Sequence, residues 1–135
     1  MISTKGRYAL RVMIDLAQQP EGQFVPLEEI ANRQEISKKY LEIILKILIE
    51  KKLLKGQRGK GGGYMLTRPP EQYSVGEILE LTEGTLAAVA CLGKGAEPCA
   101  RKSSCLTLPL WKKYDDLTHQ FFYSVTLSDI LNGTI

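Results

Sequence analysis

The hydrophobic residues in the first half of the chain recur at intervals of three and four, the spacing of one face of an α-helix. Residues 5–19 carry such a face, which includes Val12 and Leu16. Ser3 or Thr4 can cap the start of this helix, because each offers a side-chain oxygen to the free N–H groups of the first turn. A stretch rich in proline and glycine then ends the helix.

Two further helices follow, a short one and a longer basic one. The stretch LEEIANRQ (27–34) predicts the short helix. Ser37 is a favourable N-cap for the longer one, predicted over 38–54. The inward positions of the longer helix are apolar and helically spaced: Leu41, Ile44, Leu45 and Leu48. A short helix, a tight turn and a longer basic helix are typical of a helix-turn-helix.

A β-hairpin is predicted directly after the helix-turn-helix, in the position of a wing. The stretches LLKGQRG (53–59) and GYMLTR (63–68) favour extended backbone and are joined by Lys60 and glycines. A turn alone requires the glycines but not Arg58 and Lys60. Long cationic side chains on a thin hairpin suit insertion into the minor groove of DNA, where the negative potential is concentrated.

The glycine-rich stretch GQRGKGGGYMLTR does not fit a nucleotide-binding loop. A phosphate-binding loop of that kind needs a lysine and a hydroxyl at the mouth of a following helix. Here Gly63 is followed by Tyr64, Met65 and Leu66, which favour a strand. The dinucleotide fingerprint also needs a helix at this point. The pattern therefore favours the phosphates of a nucleic-acid backbone.

Two consecutive prolines, at 69 and 70, predict a boundary. We expect a winged helix-turn-helix DNA-binding domain over 1–70 and a cysteine-loop sensing and dimerisation region over 71–135. Within the second region a short helix is predicted over 75–84, and residues 85–108 are expected to be irregular.

A long C-terminal helix is predicted from Pro109 onwards. It carries an apolar stripe of four large side chains: Trp111, Tyr114, Leu117 and Phe121. The stripe could cover the protein's own core or be shared with a second copy. We predict a homodimer, since DNA readers of this type usually pair two half-sites. The fold class expected is mainly α with a small β-hairpin wing, a winged helix-turn-helix plus a long C-terminal dimerisation helix.

Composition and charge refine this picture. The 135 residues, 44% hydrophobic and 24% charged, are typical of a single globular domain. Residues 33–60 hold nine Lys or Arg and three Glu, so this segment carries +6 while the rest carries −3. Such a concentration of positive charge indicates a surface that binds polyanions. From charge alone, a solvated helix surface explains it equally well.

Several classes of protein are disfavoured by the sequence. Charges interrupt every apolar run, and the start MISTKGRYAL lacks the core of a signal peptide, so we expect no membrane association and a cytoplasmic protein. One histidine and no convincing acid–base pair or activated nucleophile indicate that the chain is not an enzyme.

Three cysteines, Cys91, Cys99 and Cys105, lie within fifteen residues. In a cytosolic protein such a group indicates metal binding or redox chemistry more than a disulfide framework. Iron–sulfur clusters are bound by thiolates, normally with four ligands in all. Zinc is a second candidate, although the spacing lacks a C-x₂-C pair. Thiol-based sensing, or three inert thiols in a loop, would also explain the cysteines.

Several motifs occur together in a fixed order: KGRYALRVMIDLA, EEIANRQEISKKYLEIILKIL, RGKGGGY, VGEILELTEG, the three cysteines, LW and TLSDIL. In this order they resemble the Rrf-type family of bacterial winged-helix transcriptional regulators, which includes IscR-, NsrR- and CymR-like proteins. The resemblance covers about residues 1–131 and is strongest to the IscR-like members, through CLGKG, CLT and LW.

The resemblance implies a homodimer that binds palindromic double-stranded promoter DNA. The family's DNA-reading positions carry over to four residues: Lys39, Tyr40, Glu42 and Arg58. Where the family often has a small hydroxyl residue this chain has Lys39, so its preferred DNA sequence is expected to differ.

The chemistry of these and neighbouring positions agrees with DNA binding. Glu42 can accept a hydrogen bond from cytosine N4, while Lys38 and Lys39 can reach guanine or phosphate. Backbone N–H groups of Gly61 and Gly62 can approach phosphate, because nothing projects from their Cα atoms. Without DNA, Glu42 would instead form an ion pair with Lys46 four residues on, and Lys39 would simply be solvated.

The resemblance also implies an iron–sulfur cluster, of the two-iron, two-sulfur type, held by Cys91, Cys99 and Cys105 and controlling promoter binding. IscR-like members complete the ligand set with a histidine three positions after the last cysteine, where this chain has Leu108. NsrR-like members use a carboxylate near the N-terminus of the partner chain, where this chain has Tyr8.

The fourth ligand is therefore open among Asp15, Glu97 and an exogenous thiol, while His119 is expected on a helix surface. A CymR-like regulator controlled by a bound metabolic enzyme is the rival interpretation. It would make a protein the partner and leave the cysteines without a metal.

Overall fold

Three helices and a β-hairpin form the first half of the computed structural model, which describes residues 1–135. The elements are α1 (Thr4–Ala17), α2 (Leu27–Gln34), α3 (Lys38–Glu50), β1 (Leu54–Gln57) and β2 (Gly63–Leu66). This order confirms the predicted helix-turn-helix followed by a wing.

The second half is helical around a long loop. A single 3₁₀ turn (Pro70–Gln72) leads into α4 (Val75–Glu83), and a second 3₁₀ turn (Ala90–Leu92) is the only regular structure before the long helix. That helix, α5 (Leu108–Ser124), is followed by α6 (Leu127–Asn132). None of the helices has the length and apolar character needed to cross a membrane.

The two predicted serine caps are both present. Ser3 Oγ accepts a hydrogen bond from the Gly6 N–H at 3.1 Å, and Ser37 Oγ accepts one from the Tyr40 N–H at 3.2 Å. Each satisfies a donor of the first turn that has no partner inside the helix. Sequence reasoning therefore located the starts of α1 and α3 to within one residue.

The predicted extent of the third helix was wrong at its end. The helix was expected to continue to residue 54, but α3 ends at Glu50. Lys52 adopts a left-handed conformation with φ of 62°, which turns the chain out of the helix. Leu53 and Leu54 then enter the core from the start of the hairpin instead of from the helix.

The helices α1, α2 and α3 and the wing form one unit, called the head, and backbone pairing ties the wing to the rest of it. The strands β1 and β2 are antiparallel, with Leu54 opposite Leu66 and Gln57 opposite Gly63. Val25, just before α2, exchanges two backbone hydrogen bonds with Tyr64, at 2.8 and 2.9 Å. Gly63 has a φ of +142°, and a Cβ there would overlap the Val25 carbonyl. A glycine is therefore required where the hairpin passes this segment.

The main core lies among α1, α2, α3 and the start of the wing, and the chain after residue 70 contributes to it. Tyr73, Ile78 and Leu127 are fully buried members of this cluster. A smaller cluster joins α4 to the end of α5 through four residues: Val75, Leu79, Leu86 and Val125. The division at residue 70 stays a prediction, and packing crosses it.

The long helix α5 keeps its apolar stripe exposed. None of its 17 residues is buried, and Tyr114, Leu117 and Phe121 are 56%, 53% and 51% exposed. The alternative that this stripe covers the protein's own core is therefore wrong. The prediction that a second copy covers it stays a prediction.

The last helix, α6, was not predicted. Its start carries a capping box in which Thr126 Oγ1 accepts from the Asp129 N–H and the Asp129 carboxylate accepts from the Thr126 N–H, both at 3.0 Å. A threonine followed three residues later by an acidic residue is the sequence signal that could have revealed it.

An ion pair between the buried carboxylate of Asp15 and the partly exposed side chain of Arg33 joins α1 to α2. Asp15 is 2% exposed, and its carboxylate accepts hydrogen bonds from Arg33 at 2.8 and 3.0 Å and from Gln34 at 2.8 Å. Burial of a carboxylate is costly unless such partners satisfy it. The arrangement fixes the angle at which α2 enters the helix-turn-helix.

We expect Arg33→Met to lower the free energy of unfolding by about 2 kcal/mol, because the buried Asp15 carboxylate loses two of its three side-chain hydrogen-bond donors. Urea denaturation followed by circular dichroism measures this. The matched control is Arg7→Met, since Arg7 is exposed on α1 and its side chain bonds only Thr4. Equal midpoints for the two variants would contradict the structural role given to Arg33.

Candidate DNA interface and cysteine cavity

The outer face of α3 presents side chains that the protein leaves without partners. Lys39, Glu42 and Lys46 are exposed there, while Leu41 and Leu45 face the core. None of the three takes part in an ion pair within the protein. A Glu42–Lys46 pair is therefore not found. Free donors and acceptors on one helix face can hydrogen-bond to base edges in a major groove.

Lys38 differs from its neighbour Lys39. Its ammonium group forms an ion pair with Glu28 of α2, and the hydrogen bond from Lys38 lowers the pKa of that carboxyl group. Both side chains are more than half exposed, so solvent screens the pair. Lys38 can reach a DNA phosphate only by leaving Glu28, whereas Lys39 is free.

Tyr40 packs inward against α1. Its ring meets that of Tyr8 edge to face at a centroid distance of 5.7 Å, and Arg11 lies 5.0 Å from the centre of the Tyr8 ring. An edge-to-face pair of this kind stabilises a fixed helix–helix contact. Tyr40 thus orients the first turn of α3 against Tyr8 of α1.

The tip of the wing carries two free cations. Arg58 and Lys60 are exposed and take part in no ion pair or side-chain hydrogen bond. Gly59 and Gly61 have φ angles of 88° and 77°, which favour glycine and form the tight turn. The wing therefore holds its cations on a short backbone turn rather than on a flexible loop.

The two glycine N–H groups proposed for phosphate binding are not equivalent. The Gly62 N–H donates to the Gly59 carbonyl at 3.0 Å, inside the turn. A Cβ at Gly62 would overlap the Gln57 carbonyl, so this glycine is needed to close the hairpin. The Gly61 N–H has no partner within the protein and remains available to a phosphate.

The base of the wing is clamped to the segment before α4. The Tyr73 hydroxyl donates to the Leu53 carbonyl at 2.7 Å and accepts from the N–H groups of Thr67 and Arg68 at 2.8 and 3.0 Å. Arg68 also lies over the Tyr73 ring at 4.3 Å and bonds Glu77 of α4 at 2.8 Å. Sequence reasoning missed this clamp, because its partners are 5 to 20 residues apart and follow no motif.

The three cysteines line one cavity of about 220 Å³ in the loop between α4 and α5. Glu97, Leu108 and two lysines line the same cavity. All three thiols are free, and no three His, Cys, Asp or Glu side chains are close enough together to hold a metal ion. The chemistry of the donors fits a thiolate-bound cluster, but the loop must close for its thiols to converge.

The Cys105 thiol lies just before the start of α5, in a setting that favours the thiolate. A hydrogen bond with the Thr107 hydroxyl lowers its pKa, with further contributions from the N–H groups of Thr107 and Leu108. Cysteines at helix N-termini commonly show this effect. A thiolate is both the metal ligand and the nucleophile in thiol exchange.

Besides the cysteines, Glu97 is the one residue lining the cavity whose side chain could bind a metal ion. Leu108, which also lines it, cannot bind a metal. His119 does not line it, and its Nδ1 lies 2.8 Å from the Asp115 carbonyl. Asp15, another candidate, is enclosed by the ion pair with Arg33. Of the candidate fourth ligands within the chain, the structure brings only Glu97 to the cysteines.

Helix α4 contacts both the head and α5. The Glu83 carboxylate at its end accepts hydrogen bonds from the N–H and hydroxyl of Ser3, at 3.0 and 2.6 Å. The Tyr123 hydroxyl of α5 donates to Glu80, and the hydrogen bond to this carboxylate raises the pKa of Tyr123 to about 12. Gly76 allows the Tyr123 ring to lie directly against α4. The helix thus connects the elements flanking the cysteine loop to α1.

The chain matches one family profile over almost its full length. Residues 2–133 match Rrf2, described as an iron-dependent transcriptional regulator.

Comparisons with individual proteins support the same family. The transcriptional regulator IscR of Cronobacter sakazakii is 37% identical over 132 residues, which cover 98% of this chain and 80% of that protein. The structure of IscR from T. potens aligns with a TM-score of 0.77 at 32% identity, covering 100% of this chain and 88% of that one. CymR, the global cysteine regulator of B. subtilis, aligns with a TM-score of 0.79 at 34% identity, covering 100% and 98%.

Proposed function

This chain belongs to the Rrf2 family of transcriptional regulators, and from that premise we propose that it is a dimeric promoter-binding protein controlled by an iron–sulfur cluster in its cysteine loop. The proposal rests on the presence of two candidate sites in the same small protein. One is a set of unpartnered polar side chains on α3 and the wing, and the other is a cavity lined by three thiols.

The DNA-binding part rests on the recognition helix and the wing. Lys39 and Glu42 would contact base edges in the major groove, with Lys38 released from Glu28 as a phosphate contact. Arg58 and Lys60 would follow the adjacent minor groove, and the Gly61 N–H would reach a phosphate. Tyr40 would hold α3 at the angle that this docking requires, through its contact with Tyr8.

We expect Arg58→Ala to weaken binding to a promoter duplex by roughly tenfold to a hundredfold, the cost of a specific arginine contact to DNA. Fluorescence anisotropy at fixed salt concentration measures this. The matched control is Lys113→Ala, which removes the same charge from α5, outside the head. If the affinity for DNA falls equally in both variants, Arg58 contributes only its positive charge and makes no specific contact in the minor groove.

Dimer formation through α5 is the second part of the proposal. The stripe of Trp111, Tyr114, Leu117 and Phe121 is exposed in the single chain. Met1 and Ile2 extend the same apolar surface into a groove beside α5. A two-fold interface places the same patch on both copies, so one stripe would cover the other and two heads would face two half-sites.

The sensing part rests on Cys91, Cys99 and Cys105, with Glu97 as the fourth donor. A cluster bound there would supply a group whose loss or oxidation state changes with iron supply and oxygen. The residues of the chain would transmit this change to the DNA-binding elements. Cys105 lies just before the start of α5, so closure of the loop around a cluster would move the chain at the end of the proposed dimer helix.

Helix α4 is the proposed route from the loop to the DNA-binding elements. Its carboxylates contact Tyr123 of α5, Ser3 before α1 and Arg68 at the base of the wing. A shift of α5 relative to α4 would therefore reach both the recognition unit and the wing through direct hydrogen bonds. This route needs no contact between the cysteine loop and DNA.

Control by thiol chemistry, in place of a bound metal, is a second candidate, favoured by the state of the cysteines. The three thiols are free and not preassembled into a metal site, and the pKa of Cys105 is lowered. A partly exposed thiol with a lowered pKa, such as Cys105, can be oxidised or form a mixed disulfide. The iron and sulfide content of protein purified without oxygen distinguishes this candidate from a cluster.

A further inference from the structure

The recognition helix exposes one large apolar side chain to solvent. Ile43 of α3 is 49% exposed. The other large hydrophobic residues that are exposed are Met1 and residues from Leu106 onwards. Between these limits, Ile43 is thus the one exposed large hydrophobic side chain, and it lies far along the chain from the stripe on α5.

Its position on the helix separates Ile43 from the core. Ile44 and Leu45, which follow it, are 0% and 1% exposed and pack inward. Lys39 precedes Ile43 by four residues and Lys46 follows it by three, so these two share its face of the helix. Glu42 is its direct neighbour. Ile43 therefore belongs to the group of free side chains proposed above to face DNA.

A single exposed apolar residue is common on protein surfaces. Ile43 is unusual because it lies on the outer face of α3, among the polar side chains proposed to contact DNA. Its exposed neighbours on the helix, Lys39, Glu42 and Lys46, are charged. Neither helix formation nor core packing calls for a β-branched residue at an exposed helix position. An isoleucine there is readily explained if a ligand covers it.

The major groove offers one apolar group to such a side chain, the C5 methyl of thymine. The other groups that bases display there are hydrogen-bond donors and acceptors, which Ile43 cannot satisfy. We infer that Ile43 contacts a thymine methyl in each half-site and makes the protein select thymine at a base pair next to the one read by Glu42. This inference rests on the proposed DNA-binding function.

The test removes the methyl group from the DNA and the side chain from the protein independently. Wild-type protein first selects duplexes from a random double-stranded pool. Each thymine of the selected duplex is then replaced by deoxyuridine, which lacks only the methyl, in both half-sites together. Equilibrium affinities are measured for wild type, Ile43→Ala and Lys46→Ala on every duplex.

For wild type we expect one replaced position at which affinity falls about fourfold per half-site, the value of one buried methyl group. Ile43→Ala should bind the thymine and deoxyuridine duplexes equally well at that position. Lys46→Ala, which removes a charge on the same face, should weaken binding to all duplexes and keep the sensitivity to the methyl. Because Ile43 is exposed, its truncation leaves the core intact.

Three results would overturn the inference in distinguishable ways. If wild type selects no duplex, the DNA-binding function itself fails and the inference fails with it. If it selects a duplex but no deoxyuridine replacement changes its affinity, the methyl contact is absent while DNA binding stands. If Ile43→Ala keeps the same sensitivity as wild type, another residue makes the contact.

Discussion

The Cys99→Ser variant, purified without oxygen, is expected to be colourless and free of acid-labile sulfide, while the wild type shows visible absorption bands with iron and sulfide bound. Serine is nearly isosteric with cysteine, but its hydroxyl is not ionised and is a poor ligand for cluster iron. With one thiol gone, the cavity retains two thiols, Cys91 and Cys105, and the Glu97 carboxylate. Absorption spectra combined with iron and sulfide analysis measure the effect.

Glu97→Gln is the informative contrast to Cys99→Ser. It removes a carboxylate from the same cavity and leaves all three thiols in place. We expect it to retain iron and sulfide after anaerobic purification but to change the electron paramagnetic resonance spectrum of the reduced protein. The matched control is Glu21→Gln, at an exposed position outside the cavity, between α1 and α2. An unchanged spectrum in Glu97→Gln would show that Glu97 is not the fourth ligand, without contradicting the presence of a cluster.

A colourless wild type would have a different meaning. Zinc in place of iron would favour the zinc site, and a metal-free protein whose Cys105 is modified first by oxidants would favour thiol sensing. Either result would remove the cluster from the proposal. The assignment of DNA binding to α3 and the wing would be unaffected, because it rests on residues outside the loop.

Leu117→Asp is expected to convert the protein from dimer to monomer and to abolish its preference for palindromic over single half-site duplexes. Leu117 lies in the middle of the exposed stripe. A two-fold interface contains each substituted residue twice, so a loss of about 2 kcal/mol of apolar burial per copy raises the dimer dissociation constant on the order of a thousandfold. The buried aspartates would add a desolvation cost.

Sedimentation velocity and parallel titrations of the two kinds of duplex measure this result. Asp116→Ala, at an exposed neighbouring position off the stripe, should remain dimeric. A monomeric wild type would show that the stripe serves another partner. A Leu117→Asp protein that stays dimeric would place the interface elsewhere on the molecule.

Local sequence signals were sufficient for most of the secondary structure. The helical spacing of Val12 and Leu16, the caps at Ser3 and Ser37 and the glycines of the wing each act over a few residues, so the sequence predicts them directly. The end of α3 was predicted wrongly because Lys51 to Leu54 suit a helix locally, and burial of Leu53 and Leu54 in the core outweighed that preference.

The candidate site divides in the same way. Lys39, Glu42 and Arg58 were found from charge, position and family resemblance, since a recognition helix and a wing are continuous segments. Three contacts could not be found in this way, because each joins residues from different elements. They are the Tyr73 clamp, the Asp15–Arg33 ion pair and the Lys38–Glu28 ion pair. No periodic pattern records such contacts.

The sequence by itself determined the family, the order of helices and wing, and the three thiols of the loop, because each is a property of one continuous segment. Only the tertiary structure decided which side chains remain free. It enclosed Asp15, used the Gly62 N–H within the wing, brought Glu97 to the cysteine cavity and left Ile43 and the α5 stripe exposed. Whether a group is available depends on what packs against it, and those neighbours come from distant parts of the chain.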